Sequence, residues 1–357
     1  MPPTRGDEIF VTGMLRSGTT LLEKLLAQQD GISMLSQPFP LLFVDAKRSF
    51  LRGLGHGDDP YPLGHLFNER RYTADDLKRY LSTWRASREE LAALFARMAE
   101  YSGQLTRFDD AQLDAALGSV AGVCDFPDVV SGLLHRLAAR PHARWFGSKE
   151  VACEELVPLF LERGFRCLII LRDPRDVVTS LNHGTGRDMG GEIRPTLFNI
   201  RAWRKSVAIA LQCETHPRFH CCRYEELVAD PESTMRELAS KLDIDITTLE
   251  FDQLHDTSGS EWRGNSSHHA HHGVSASSVG TFRELLPPSV SRFIEAACLP
   301  ELQRLGYETT LTRADAVRAL HEFREPYTIT RLGMNSDMAT EENAALEEER
   351  LNHDFHH

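Results

Sequence analysis

The stretch from Ile9 to Leu22, IFVTGMLRSGTTLL, constrains this chain more tightly than any other. Ile9 to Val11 form a short apolar run suited to a buried strand, and Gly13 and Gly18 let the backbone turn back. Leucines then recur at helical spacing between Thr19 and Gln28. In such a strand, turn and helix, the N–H groups of the turn and the positive end of the helix face one point and favour an anion there. The first expectation is therefore an α/β protein with an anion cradle at a strand end.

A second stretch, RCLIILRDPRDVVTS from Arg166 to Ser180, has the same grammar. A continuous apolar run bounded by charge reads as a parallel strand buried on both faces. It breaks at Asp173-Pro174, an N-cap followed by a first helical residue, with Asp176 in the first turn near the helix's positive end. Arg172 thus leaves the C-terminal end of a strand, the edge where open α/β sheets bind ligands. Ser180 follows two helical turns later.

The spacing of the first loop is that of the nucleotide-triphosphate loop G-x-x-x-x-G-K-[ST], but Thr19 stands in the lysine's place. A P-loop kinase needs that lysine on the β- and γ-phosphates, together with magnesium. Here the cation is Arg16, inside the loop. One fixed positive charge and two hydroxyls suit a phosphate esterified to a less charged group, such as sulfuryl. Arg16-Ser17-Gly18-Thr19-Thr20-Leu21 resembles the first motif, [KR]-S-G-T-T-[LW], of the bacterial-type, P-loop-like sulfotransferases that use 3′-phosphoadenosine 5′-phosphosulfate (PAPS).

The resemblance implies an open parallel sheet flanked by helices, P-loop-NTPase-like. It implies in-line, metal-independent sulfuryl transfer to an acceptor hydroxyl or amine, releasing 3′-phosphoadenosine 5′-phosphate (PAP). It makes Arg16, Ser17, Gly18, Thr19, Thr20 and Leu21 cofactor-binding, and puts Arg172 and Ser180 on the 3′-phosphate. Tyr224, in Tyr224-Glu225-Glu226-Leu227, is implied to lie against the adenine. The late loop Arg263-Gly264-Asn265 is implied to close on the 3′-phosphate and adenosine. Lys149, at the end of the run from Arg144, is implied to stabilise the sulfuryl group or the leaving phosphate. A P-loop kinase and a non-catalytic nucleotide-binding protein are the alternatives.

Further strands are expected over 31–39, ending at Pro38, over 144–150, and from Phe219 into Tyr224. Helices are expected over 156–163, stopped by Gly164, over 195–214, from Asp230-Pro231, and over 289–305, stopped by Gly306. Residues 45–140 read differently. Glycines and prolines from Gly53 to Pro62 make an irregular loop with His56 and His65, and helical patterns follow at 73–82, 87–101 and 109–117. Ser87 and Glu90 stand at capping-box spacing. This block is too polar for central sheet and reads as a helical insertion, an acceptor lid, within a single domain over 1–330. A polar, acidic tail over 331–357 follows, with a helical stretch at 341–351 that either packs as a partner helix or lies loose.

The general base is the open question. Relatives place a glutamate where this chain has Gln37, and an amide cannot take a proton at neutral pH, which leaves Gln37 as a substrate-binding residue. Common cytosolic members place a histidine two residues after the lysine, where Val151 stands. Glu150 is adjacent to Lys149 but faces the other side of a strand. His56 is a loop histidine with a candidate substrate-binding role. His268, in the histidine-rich stretch after Asn265, is the leading candidate, since an imidazole near pKa ~6.5 can accept a hydroxyl proton. Those clustered histidines do not read as a metal site, because they lack carboxylate or cysteine partners at set positions.

A formal net charge of −12 argues against a broad nucleic-acid surface and means that an anionic cofactor must be held by a local group of cations. No apolar run approaches the ~20 residues a membrane span needs, and no leader-like segment precedes the first strand, so a cytoplasmic protein is expected. The 7 cysteines are scattered without metal spacing and read as reduced core thiols. The acceptor, whether small metabolite, lipid, glycan or carrier-bound intermediate, is left open.

Overall fold

Five apolar runs build one sheet: β1 (Glu8–Thr12), β2 (Ile32–Ser36), β3 (Trp145–Lys149), β4 (Arg166–Leu171) and β5 (Phe219–Arg223). In this computed structural model, which describes residues 6–57, 61–64, 72–100, 105–120, 122–123, 125–184, 193–247, 249–255, 260–262, 273–327 and 340–353, they pair in the order β2-β3-β1-β4-β5, and every pairing is parallel. The inner strands β1 and β4 carry the continuous apolar runs, residues 9–11 and 167–171, because both faces are covered there. Phe10, Leu35, Cys167, Ile169 and Leu171 enter one core with Phe43, Phe126, Phe160 and Trp203. Ile9, Val11, Met34, Trp145, Leu168 and Ile170 enter the other with Leu22, Leu25 and Leu238.

The helices follow in chain order. After β1 comes α1 (Thr19–Ala27); after β2 come α2 (Pro40–Gly53), α3 (Ala74–Ser82), α4 (Arg88–Ala99), α5 (Asp110–Val120) and α6 (Phe126–Leu137). After β3 comes α7 (Val157–Glu162), and after β4 come α8 (Pro174–Asn182) and α9 (Thr196–Cys213). After β5 come α10 (Tyr224–Ala229), α11 (Pro231–Leu242), α12 (Phe282–Leu285), α13 (Pro288–Ala297), α14 (Leu299–Arg304), α15 (Arg313–Glu322) and α16 (Glu341–Asn352). Among the described residues, no helix is long and apolar enough to cross a membrane.

Local chemistry sets the ends. Thr73 and Ser87 close reciprocal capping boxes with Asp76 and Glu90, and Asp173 and Asp230 cap helices whose first residue is proline. Helices α2 to α6 send Phe43, Leu77, Leu91, Ala116 and Val129 into the same core as one sheet face. The turn after β3 carries two buried glutamates that hold this block. Glu155 accepts from Lys47 of α2 and from Tyr72, and Glu154 pairs with Lys205 of α9 at 3.0 Å.

The structure corrects the expectations in several places, among them α6 and α15, which form over residues where no helix was expected. β2 stops at Ser36 rather than at Pro38, because Gln37 turns into left-handed backbone with φ 43°. A helix, α2, begins directly at Pro40, where none was expected. The helix expected over 289–305 is two, α13 and α14, parted at Cys298, because Pro300 lacks an N–H and its ring disfavours helical backbone before it. Helix α16 is docked: Glu347 accepts from Arg204 Nη2 at 3.0 Å, Arg350 donates to Glu301 at 2.8 Å, and Leu351 is buried.

Candidate active site at the edge between strands 1 and 4

Strand order decides where a ligand can sit. β1 and β4 are neighbours, and the chain leaves β1 toward β2 on one side and β4 toward β5 on the other, which opens a crevice between their C-terminal ends. The β1 loop brings Arg16 to this crevice and the β4 loop brings Arg172.

The loop is shaped for a small anion. Arg16 has left-handed backbone, φ 70°, and Gly18, the N-cap of α1, has φ 100°. Among the described residues no side chain caps α1, and no acidic residue stands in its first turn, so the N–H groups of Thr19, Thr20 and Leu21 point where an anion could take them. Gly18 is required twice over, by its φ and by its neighbour: a Cβ there would lie 2.5 Å from Cδ2 of Tyr224. Ser17 is fully buried, and among the described residues its Oγ finds no hydrogen-bond partner.

Arg172, 5 % exposed, is fixed from three sides. Its Nη1 donates to the Arg16 carbonyl at 3.1 Å, its Nη2 to the Ser278 carbonyl at 2.5 Å, and its guanidinium carbon lies 4.7 Å from the Tyr224 ring centre. Nε is buried and without a partner among the described residues. Burial, and then the nearby Arg172 charge, lower Arg16 to about 10. A buried arginine, a half-buried one and a buried hydroxyl without a partner among the described residues are groups that a bound phosphate would satisfy, so the residues present fit a phosphorylated nucleotide.

The other expected residues fall into groups. Tyr224 lies between Gly18 and Arg172, with its hydroxyl 2.7 Å from Ser278 Oγ. Ser180 is buried on α8, two turns beyond the Asp173 cap. Lys149, only 2 % exposed, pairs in register with Val11 and Ser36 and lies on the α1 side of the sheet. Burial lowers its ammonium, opposed by Glu23 and Glu150. Gln37 is half-buried, and its N–H donates to the Lys149 carbonyl at 2.8 Å. His56 lies past the C-terminal end of α2. Arg263, Gly264, Asn265 and His268 lie outside the described residues, as does His65. Among the described residues, no group of His, Cys, Asp or Glu could hold a metal ion.

Three residues gain a place that the sequence did not indicate. Glu150, on the face opposite Lys149 and 1 % exposed, accepts the Phe39 N–H at 2.7 Å, and burial pushes its carboxyl up to about 8. Asp176 and Ser278 together hold the turn that supports Arg172. Only the parity of Glu150 on its strand was readable from sequence; the Asp176 and Ser278 contacts span more than a hundred residues and leave no local signal.

A family model described as the sulfotransferase family matches residues 8–248. No curated protein matches the sequence. Similar solved structures include the sulfotransferase domain from the Synechococcus PCC 7002 olefin synthase, with 14% identity, 87% of this chain and 98% of that one covered, and a TM-score of 0.48. The sulfotransferase domain from the curacin biosynthetic pathway has 18% identity, 85% and 98% coverage, and a TM-score of 0.45. Retinol dehydratase in a complex with retinol and PAP has 13% identity, 87% and 84% coverage, and a TM-score of 0.37. The model match over most of the chain, on a parallel sheet whose first loop carries the Arg16 to Leu21 motif, decides the assignment: the chain belongs to the sulfotransferase family.

Proposed function

We propose that this sulfotransferase takes its sulfuryl group from PAPS, releases PAP, and serves an acceptor hydroxyl or, second, an amine, without a metal. The observation that carries the reading is the approach of Arg16 and Arg172 at one strand edge. Two like charges, Arg172 buried and Arg16 half-buried, gather at one point in a chain of net charge −12, and an anion between them would lower their mutual repulsion.

In this reading the N–H groups of Thr19, Thr20 and Leu21, the Ser17 hydroxyl and Arg16 hold the 5′ end of the nucleotide, with Gly18 leaving them room. Arg172 and Ser180 hold the 3′-phosphate, Tyr224 walls the adenosine, and Arg263-Gly264-Asn265 closes over it. PAPS supplies a sulfuryl group on a phosphate leaving group. Arg16 and the loop N–H groups face the charge that gathers on that phosphate, while Lys149, buried under α1, adds positive potential from below. Gln37 binds the acceptor.

Glu150 is a poor base on its own chemistry, because a carboxyl pushed up to about 8 keeps its proton at neutral pH. His268 is therefore the base we propose. The test pairs calorimetry with PAP and transfer of labelled sulfuryl from PAPS across a panel of alcohols and amines. Binding with transfer supports the reading. Binding without any transfer would make the chain a nucleotide-binding protein, and absence of both would remove the assignment of the cofactor.

A further inference from the structure

We propose that Asp176 is a positioning residue for the nucleotide site and acts through Ser278 on Arg172. The inference rests on the assignment of Arg172 to the cofactor's phosphate. Asp176, on α8 and 1 % exposed, gathers three donors from one short turn. Its Oδ2 accepts the Gly280 N–H at 2.6 Å, and its Oδ1 accepts the Phe282 N–H at 3.0 Å and the Thr281 hydroxyl at 3.1 Å. A carboxylate that accepts two backbone N–H groups and a hydroxyl fixes a turn far better than apolar packing does, because each bond is charge-assisted and directional.

The same turn carries Ser278. Its carbonyl takes the Arg172 Nη2 at 2.5 Å, and its hydroxyl lies 2.7 Å from the hydroxyl of Tyr224, the ring over which the guanidinium stacks. Two supports of the Arg172 plane therefore depend on where the turn sits. Asp176 is the third residue of α8 and Arg172 stands just before that helix's Asp173 cap, so the arginine and its fastener flank the same strand-to-helix junction. A planar guanidinium binds a phosphate through paired donors only in a narrow range of orientations, and a tilt loses one donor of the pair.

The local reading of Asp176 as a favourable charge in a helix's first turn predicts a different result, since a first-turn charge would affect folding stability alone. The experiment is a double-mutant cycle on PAP binding by the full-length protein, using Asp176→Asn, Arg172→Ala and the pair. Asparagine keeps the shape of the side chain but turns one acceptor into a donor that faces an N–H. We expect Asp176→Asn to weaken PAP binding about tenfold and to raise the KM for PAPS by a similar factor, with a smaller change in kcat at saturating PAPS. In the Arg172→Ala background the same change should alter PAP affinity less than twofold. Equal losses in both backgrounds would overturn the inference, as would wild-type affinity in a folded Asp176→Asn. If instead the unaltered protein or Arg172→Ala showed no relation to PAP binding, the cofactor assignment would fail, separately from the role of Asp176.

Discussion

Replacing Glu150 with glutamine should change how the fold responds to pH, in a direction that can be worked out. The carboxyl is pushed from 4.5 up to about 8 by burial, opposed by the Phe39 N–H and by Lys149. Below 4.5 the folded and unfolded chains both hold this proton, so the group adds no pH dependence. Between 4.5 and about 8 only the folded chain holds it, and each pH unit upward costs about 1.4 kcal/mol. Stability that is fully present in acid is therefore lost as pH rises toward 8, by about 3 kcal/mol between pH ~5.5 and ~8. Glu150→Gln keeps an oxygen for Phe39 N–H and has no proton to lose. Urea unfolding at several pH values, followed by tryptophan fluorescence, reads the difference: the wild-type curve should fall relative to the variant's by that amount. Lys149, lowered by burial, acts in the opposite sense toward alkaline pH, and because both proteins carry it the comparison between them isolates Glu150. Parallel curves for the two proteins would refute the reasoning, because they would mean that the side chain is wetted or ionised in the fold.

Gly18→Ala should destabilise the fold by about 2–4 kcal/mol, since it combines left-handed backbone with a Cβ inside the Tyr224 ring contact; it should also abolish PAP binding, and chemical denaturation with calorimetry checks both. His268→Ala should lower kcat by about 10²–10⁴ while leaving PAP affinity unchanged, and normal turnover would remove His268 as the base. Lys205→Met should cost about 3–5 kcal/mol, because Glu154, fully buried, would lose its cation. Adding Glu154→Gln should recover part of that loss, as a double-mutant cycle in urea can measure.

The centre of the sheet was legible because β1 and β4, covered on both faces, carry continuous apolar runs, and each of the five strands ends in a marked way: Gly13, Gln37-Pro38, Glu150, Asp173-Pro174 and Tyr224. The caps were legible because Thr73, Ser87, Asp173 and Asp230 bond within their own first turn. Helix α2 was hidden by Pro38-Phe39-Pro40, which reads as a stop although Pro40 opens a helix. The break at Cys298 required giving more weight to Pro300 than to the apolar pattern around it. In the site, Arg16, Arg172 and Tyr224 could be named because motif spacing places them on strand ends. The state of Glu150 depends on burial, and the Asp176 turn depends on two segments meeting 104 residues apart, and neither leaves a periodicity or a spacing to read.

Gly18, Tyr224 and Arg172 form a layered stack, and the layering links the fold to the chemistry. The absence of a side chain at Gly18 leaves the start of α1 open to an anion and at the same time admits the Tyr224 ring. That ring supports a guanidinium whose two terminal nitrogens are fixed by carbonyls from the β1 loop and from the Ser278 turn. A lysine in place of Arg172 could neither stack flat on the ring nor reach both carbonyls, so the position demands arginine for geometry as well as charge. Because the carbonyls orient Arg172 without neutralising it, its positive charge still repels that of Arg16, which burial and this charge together lower. A dianionic phosphate that entered the crevice would relieve that repulsion and engage the orphaned Ser17 hydroxyl and Arg172 Nε together. On the proposed reading such a phosphate would be drawn by this edge itself and would need no favourable field from an acidic chain as a whole.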